Sequence, residues 1–271
     1  MRIDGHAHGC GEYLTIEGIK ETLGRNKVDV VVLVPGELDS TKTYNLKNNA
    51  AKHPNKDVLM TTNRLTKGII GMIGAIKTIP KGNEYIFSLK QQAPNLIKQF
   101  YWTTQKQPTA IEDDYAKMQF DGVKVHQCWE GFGVEGVWFD SIAKFCIKQD
   151  LPLFAHLYSH KDIKKLIAYI KKNSTLKVIV GHNFGMEYFM MDDLYHFRNV
   201  YFDMSNAYFV SKERIQKAYE HFGSKKLLMG SDTPYGLNAL EESIKLIESL
   251  NINDDEKADI LGLNMKMLLK E

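Results

Sequence analysis

Short apolar or β-branched runs alternate with stretches of helical periodicity along most of this 271-residue chain. The runs are residues 2–6, 28–34, 97–103, 122–126, 152–156, 177–181, 200–204 and 227–230, eight in all. Runs of this length bounded by polar or turn-forming residues are expected to be strands. The clearest amphipathic stretch between them is 162–172. There Ile163, Leu166, Ile167 and Ile170 recur at i, i+3, i+4 and i+7, which places them on one helix face. Ser159 stands where an N-cap belongs, with Asp162 three residues on. Leu240, Ile244 and Ile247 repeat the pattern after the last run. Strand–helix alternation implies a parallel sheet with crossover helices, and eight units predict an α/β fold closed into a (β/α)8 TIM barrel. Residues 1–271 read as a single domain, with 254–271 as one or two C-terminal helices.

One connection is out of proportion. Residues 36–94, after the second run, hold far more chain than a crossover needs. They include a helical pattern near 43–53, a Gly-spaced apolar run at 68–76 and a second helical pattern near 84–93. A structureless loop of that length is disfavoured, so a helical insertion is expected. A cover over the barrel mouth and a packing or dimer-contact role are equally compatible with its position.

Composition narrows the class. With 44% apolar and 25% charged residues and a formal charge of +2, the chain describes a soluble globular protein, not a nucleic-acid binder. The lysines at 161, 164, 165, 171 and 172 fall on the polar side of a helical pattern, a solvated face. No apolar run approaches the ~20 residues of a membrane span. The start Met1-Arg2-Ile3-Asp4 leads us to expect no signal peptide. Cys10, Cys128 and Cys146 form no C-x-x-C pair, which suits reduced thiols in a cytoplasm. The expected partner is a small-molecule substrate, and a homo-oligomer is left open.

The candidate chemistry lies at the strand ends. His6 and His8 form H-x-H at the end of the first run, and residues two apart on an extended chain point the same way. His126, His156 and His182 close or follow the fourth, fifth and sixth runs, and Asp232 follows the eighth, while the seventh offers no such group. All lie at C-terminal strand ends, the catalytic face of barrel enzymes. His6, His8, His156 and Asp232 form a nitrogen and oxygen set suited to one divalent ion, Zn²⁺ first, with Mn²⁺ or Fe²⁺ as alternatives. An open position on that ion would acidify a water, with Asp232 as proton acceptor and His182 as a catalytic group outside the metal shell. Glu12, Trp129, Tyr158, Asn183, Asn206 and Tyr235 fall on loops near the same end, and Asp4 is placed to support the ligands.

Asp4-Gly5-His6-Ala7-His8, Gly122-Val123-Lys124-Val125-His126, Pro152-Leu153-Phe154-Ala155-His156, Gly181-His182-Asn183-Phe184-Gly185, Gly230-Ser231-Asp232-Thr233-Pro234 and Ile260-Leu261-Gly262-Leu263-Asn264 together resemble the amidohydrolase superfamily. They are most similar to its amidohydrolase-related (family 2) branch, which includes the aminocarboxymuconate-semialdehyde decarboxylases. The resemblance implies that His6, His8, His156 and Asp232 hold the metal and that His182 is catalytic. It also implies that Lys124 and His126 line the substrate pocket. Binuclear members bridge two ions through a carboxylated lysine or a glutamate of strand four, so a second metal on Lys124 is the alternative to one ion.

Three functions are compatible with these residues. The first is a metal-dependent hydrolase of a small C–N or C–O substrate: an amide, lactone or ester. The second is a non-oxidative metal-dependent decarboxylase of a small carboxylic acid, in which Lys124 or Arg64 would face the carboxylate. The third, a non-catalytic metal-binding scaffold, predicts a missing ligand, and none is missing. A DNase of the same superfamily fits less well, because Lys124 and His126 stand where an acidic residue is favoured.

Overall fold

All eight runs form parallel strands in a computed structural model of the chain, which describes residues 1–73, 79–107, 109–192 and 197–271. They are β1 (Ile3–His8), β2 (Val30–Val34), β3 (Ile97–Trp102), β4 (Gly122–His126), β5 (Leu153–His156), β6 (Val178–Val180), β7 (Val200–Asp203) and β8 (Leu227–Leu228). Neighbours in sequence are neighbours in the sheet, from β1 through to β8. Backbone bonds complete the ring: Gly5 N–H donates to Met229 O at 3.0 Å, and Asp232 N–H donates to His6 O at 2.7 Å. The fold is a (β/α)8 barrel.

Alternation along the strands divides the core in two. Val31, Leu33, Val123, Val125, Leu153 and Ala155 pack outward against the helices, whereas Val30, Val32, Phe100, Phe154, Ile179 and Leu228 fill the lumen. Met265 and Leu268 join the lumen cluster from α12 (Asn264–Leu268) and so plug the N-terminal end. In β1 the alternation changes phase. Ile3 lies in the lumen cluster and Ala7 in the outer one, although strict period-two geometry would put both on the same side. A register shift against β2 between Asp4 and Ala7 accounts for the change. It leaves His6 and His8, on either side of Ala7, facing inward.

The helix α7 (His160–Lys172) shows how the sequence sets the outer layer. The Ser159 side chain accepts from the Asp162 N–H at its start, an N-cap worth about 1 kcal/mol. Ile163, Leu166, Ile167 and Ile170 are buried, while Lys161, Lys164, Lys171 and Lys172 are exposed. Burial of each aliphatic side chain contributes roughly 1.5–3 kcal/mol. Leu240, Ile244 and Ile247 do the same on α10 (Ala239–Glu248).

The long insertion runs around the C-terminal rim. Ser40 O accepts from Gly11 N–H after β1, and Tyr44 exchanges backbone bonds with Pro234 and Gly236 after β8. Ala50 N–H donates to Tyr208 O, and Pro54 O accepts from Ser211 Oγ, both after β7. The Asp57 carboxylate accepts from Gly185 N–H after β6 at 2.7 Å. Asn63 Nδ2 donates to Leu157 O and Tyr158 O after β5, at 2.9 and 3.2 Å. The chain then returns through α4 (Ile79–Gln92), where Asn83 pairs with both backbone groups of Trp102. The expected helix over 43–53 is reduced to Asn49–Lys52, because this stretch spends its backbone bonds on the rim. The helix expected near 84–93 begins earlier, as Ile79–Gln92. The apolar run at 68–76 lies in α3 (Leu59–Ile73) up to residue 73, and its remainder falls outside the described residues. Among the described residues no helix is long and apolar enough to cross a membrane.

Candidate metal centre

Strand ends bring the sequence-selected residues to one rim, where all are buried, from 1% exposed for His6 and Lys124 to 8% for His126. The distances sort them into groups. His6 Nε2 lies 3.7 Å and His8 Nε2 3.4 Å from Asp232 Oδ1. Two ligands each about 2.1 Å from a tetrahedral ion stand about 3.4 Å apart, so these three match a shared ion. His156 is not in that group. It shares one with His126 and Cys128, while His182 shares one with His6 and Asp203.

Hydrogen bonds assign each imidazole proton. His8 Nδ1 lies 2.7 Å from Pro35 O and His182 Nδ1 2.7 Å from Ser205 O. A carbonyl only accepts, so both rings carry the proton on Nδ1 and present Nε2 as a lone pair. Ser205 Oγ donates to Asp203 Oδ2 at 2.6 Å and therefore accepts from His6 Nδ1 at 3.0 Å, which frees His6 Nε2 in turn. His126 differs. Its Nδ1 accepts from Cys128 N–H at 3.2 Å, leaving a donor on Nε2. His156 Nε2 donates to Asn63 Oδ1 at 2.9 Å, so its lone pair is on Nδ1.

Burial sets most of the charge states. Desolvation holds His6, His8, His126 and His156 below the usual histidine range, with Lys124 adding to the effect. All four are therefore neutral, as metal ligation requires. Asp232 lies below the ordinary carboxyl value: burial raises it, but the basic groups around it, cationic Lys124 among them, outweigh this and keep it ionised. Burial lowers Lys124 to about 8, opposed by Asp232 and Asp203. Its Nζ lies 2.7 Å from His6 Nε2, so the lone pair offered to a metal already attracts a cationic group. The donor chemistry fits a divalent ion. Burial pushes the Cys10 and Cys128 thiols up to about 12, so both are protonated at neutral pH.

Local backbone is strained where it positions these groups. His182, Asn183 and Asp232 all have left-handed φ, between 52° and 56°, at a cost of roughly 1–2 kcal/mol for each residue with a bulky side chain. Arg214 restrains the turn after β6 by donating to Asn183 O at 3.1 Å while pairing with Glu187 at 2.6 Å. Gly230 is needed for proximity: a Cβ there would fall 2.9 Å from Asp203 Oδ1 and 3.0 Å from His6 Cβ.

The strand register stacks a wall of rings. His126 lies opposite His156, Trp102 stacks on His126 at 5.3 Å and 8°, and Trp129 meets Trp102 edge-on. Tyr235 stands edge-on to His8 and stacks on Tyr44 of the insertion. Asn206 donates to Tyr235 O and, at 3.4 Å, to Asp232 Oδ2. Tyr158 lies under Lys67 Nζ at 4.4 Å. Glu12, by contrast, pairs with Arg25, and Arg64 is exposed. Asp4 accepts from Ser231 N–H and Oγ and from Tyr13, which fixes the β8 exit beside β1.

Three contributors were missed in the sequence. β7 does supply a carboxylate: Asp203 is buried, holds His182 N–H at 2.9 Å and reaches His6 through Ser205. Its phase relative to the lumen residue Tyr201 was the available signal. Ser205 sits two residues beyond the strand end, and Asn63 comes from the insertion, where no periodicity marks it.

No curated protein matches the chain in sequence. Among solved structures it resembles 2,6-dihydroxybenzoate decarboxylase from Rhizobium, with a TM-score of 0.72, 11% identity and coverage of 99% of this chain and 98% of that one. It also resembles 4-oxalomesaconate hydratase from Rhodopseudomonas palustris, with a TM-score of 0.63, 14% identity and 100% and 96% coverage. A third is a probable 2-pyrone-4,6-dicarboxylic acid hydrolase from Acinetobacter baumannii, with a TM-score of 0.69, 14% identity and 100% and 99% coverage. At these identities the likeness concerns the fold. The family model described as amidohydrolase, of the family 2 branch, matches residues 81–269. The chain belongs to the amidohydrolase family of enzymes.

Proposed function

We propose that this enzyme is a divalent-metal-dependent hydrolase that opens a C–N or C–O bond of a small carboxylic acid carrying an amide, lactone or ester. The observation that carries the proposal is the pair of imidazole lone pairs from β1 turned onto one ionised carboxylate, Asp232. The reading takes His6, His8 and Asp232 as ligands of one ion, Zn²⁺ before Mn²⁺ or Fe²⁺, and adds as the fourth His156, which stands with His126 and Cys128 here and would have to move in toward the ion. Such an ion, when bound, supplies Lewis acidity toward a carbonyl oxygen and a water.

The chain's own residues perform the remaining steps. Asp232, held ionised, accepts the proton released by the attacking water and returns it to the leaving nitrogen or oxygen. His182 keeps its proton on Nδ1 against Ser205 O and offers Nε2 as a second acceptor beside it. Lys124 and the His126 Nε2–H share one face of β4 and supply donors for the substrate carboxylate. Asn183 is fully buried, and its side-chain amide has no hydrogen-bond partner among the described residues. An unpaired buried amide costs about 1–3 kcal/mol, which a polar substrate group would offset.

The flat wall of Trp102 and His126 favours one second reading, decarboxylation of an aromatic acid. The names of the three neighbours support the acid in both readings, since each names a carboxylic acid or its carboxylate. The test is chelation and metal rescue on a panel of carboxylated lactones, amides, esters and aromatic acids. Metal-restored ring, amide or ester opening is expected. CO2 release without such opening would assign the decarboxylase, and a metal-loaded chain inert on the whole panel would sink the catalytic assignment of these residues.

A further inference from the structure

The insertion does more than surround the rim, because one of its side chains is bonded to a proposed ligand. Asn63 of α3 is 1% exposed. Its Nδ2 donates to Leu157 O and Tyr158 O, the two carbonyls that follow His156, and its Oδ1 faces His156 Nε2 at 2.9 Å. The two carbonyls fix which way the amide points, since they can only accept. The remaining oxygen must then accept, so His156 carries its proton on Nε2 and keeps its lone pair on Nδ1. On its other side the ring stacks on His126 at 3.7 Å and 13°. Ring orientation and tautomer are thus both fixed, one of them by a residue 93 positions away in the chain. The start of α3 is anchored independently, through Asp57 to Gly185 N–H and, at 3.5 Å, to Arg214.

We propose that Asn63 is a positioning residue that turns His156 Nδ1 toward the metal, so that docking of the insertion on the rim completes the centre. The inference rests on the metal reading above, and its test separates the two. Histidine ring ¹⁵N spectra of the full-length, metal-free chain report the tautomer without reference to any metal. His156 is expected to be protonated on Nε2 in the wild type and to lose that preference in Asn63→Leu. A His156 protonated on Nδ1 in the wild type overturns the proposal, even where the Leu variant does not fold.

The second arm titrates Zn²⁺, and Co²⁺ for its visible spectrum, against a competing chelator. Asn63→Leu is expected to weaken affinity about 10–100-fold and to alter the Co²⁺ bands. Asn63→Gln, which keeps both the amide donor and the acceptor, is expected to recover part of the loss. In a His156→Ala background, Asn63→Leu should cost nothing more. A folded Asn63→Leu chain with wild-type affinity overturns the proposal, as does an equal further loss in the His156→Ala background. A wild-type chain that takes up neither ion overturns the metal reading instead, a result distinct from both.

Discussion

His126 and His156 are direct partners in the β4–β5 ladder, and their rings stack at 3.7 Å, both with the proton on Nε2 but with different groups facing the two ring nitrogens. His126 accepts on Nδ1 from the backbone of its own loop, whereas His156 donates from Nε2 to the insertion. Two neutral rings in contact can therefore serve different purposes, a donor toward substrate and a lone pair toward an ion. The pairing of strand register with separate second partners runs through the whole site.

If His6, His8 and Asp232 share one ion, replacing any of them by Ala should remove the metal while the barrel stays folded. Metal analysis of the purified wild type should find about one equivalent per chain, against almost none in the variants. His182→Asn should keep its metal and lose about 10²–10⁴-fold in turnover, the range for a positioned acid–base group. Loss of metal in that variant would make His182 a ligand, and two equivalents in the wild type would move Lys124 to a bridging role.

Ser205 joins Asp203 to His6 by a single hydroxyl. Ser205→Ala leaves His6 Nδ1 without its acceptor and frees the ring to change tautomer. Metal affinity should fall about 10–100-fold, with a loss of thermal stability limited to roughly 2 kcal/mol for the two hydrogen bonds of the hydroxyl, to Asp203 and His6. Chelator competition and a thermal melt measure the two effects separately. A large stability loss with unchanged affinity would contradict the assignment.

Asp4 gives a pH dependence with a definite sign. Burial raises its carboxyl from 3.8 to about 6, against the lowering bonds from Ser231, Tyr13 and His6. At this group the folded chain therefore binds more protons than the unfolded one between about pH 4 and 6, and its contribution to stability falls as pH rises through that window. The two-unit shift corresponds to about 3 kcal/mol. Urea unfolding of metal-free wild type and Asp4→Asn across pH 4–7 should show the wild type losing about 3 kcal/mol relative to the variant as pH rises; parallel curves would remove Asp4 as a source of pH dependence.

Much of this was legible in the sequence, because strands and their ends are written locally. β4 matched its predicted limits, and the H-x-H, K-x-H and Gly-Ser-Asp segments fell on the rim that period-two alternation and barrel geometry require. What was not legible depends on contacts between distant segments. The phase change in β1 arises from pairing with β2. The grouping of His156 with His126, rather than with His6 and His8, arises from register across β4 and β5. Asp203 was overlooked because a lone aspartate ending an apolar run resembles a strand terminator. Asn63 was invisible because only the path of the insertion brings it to β5.

The shift in β1 has a mechanical consequence. A perfectly regular strand that kept Ile3 in the floor of the barrel would turn both histidines of the H-x-H segment outward against the helical layer. The local irregularity lets a single strand obey the packing demands of the closed end in one phase and the chemical demands of the open end in the other. The floor, with Met265 and Leu268 beneath it, can thus be repacked for stability without rotating the reactive end out of position.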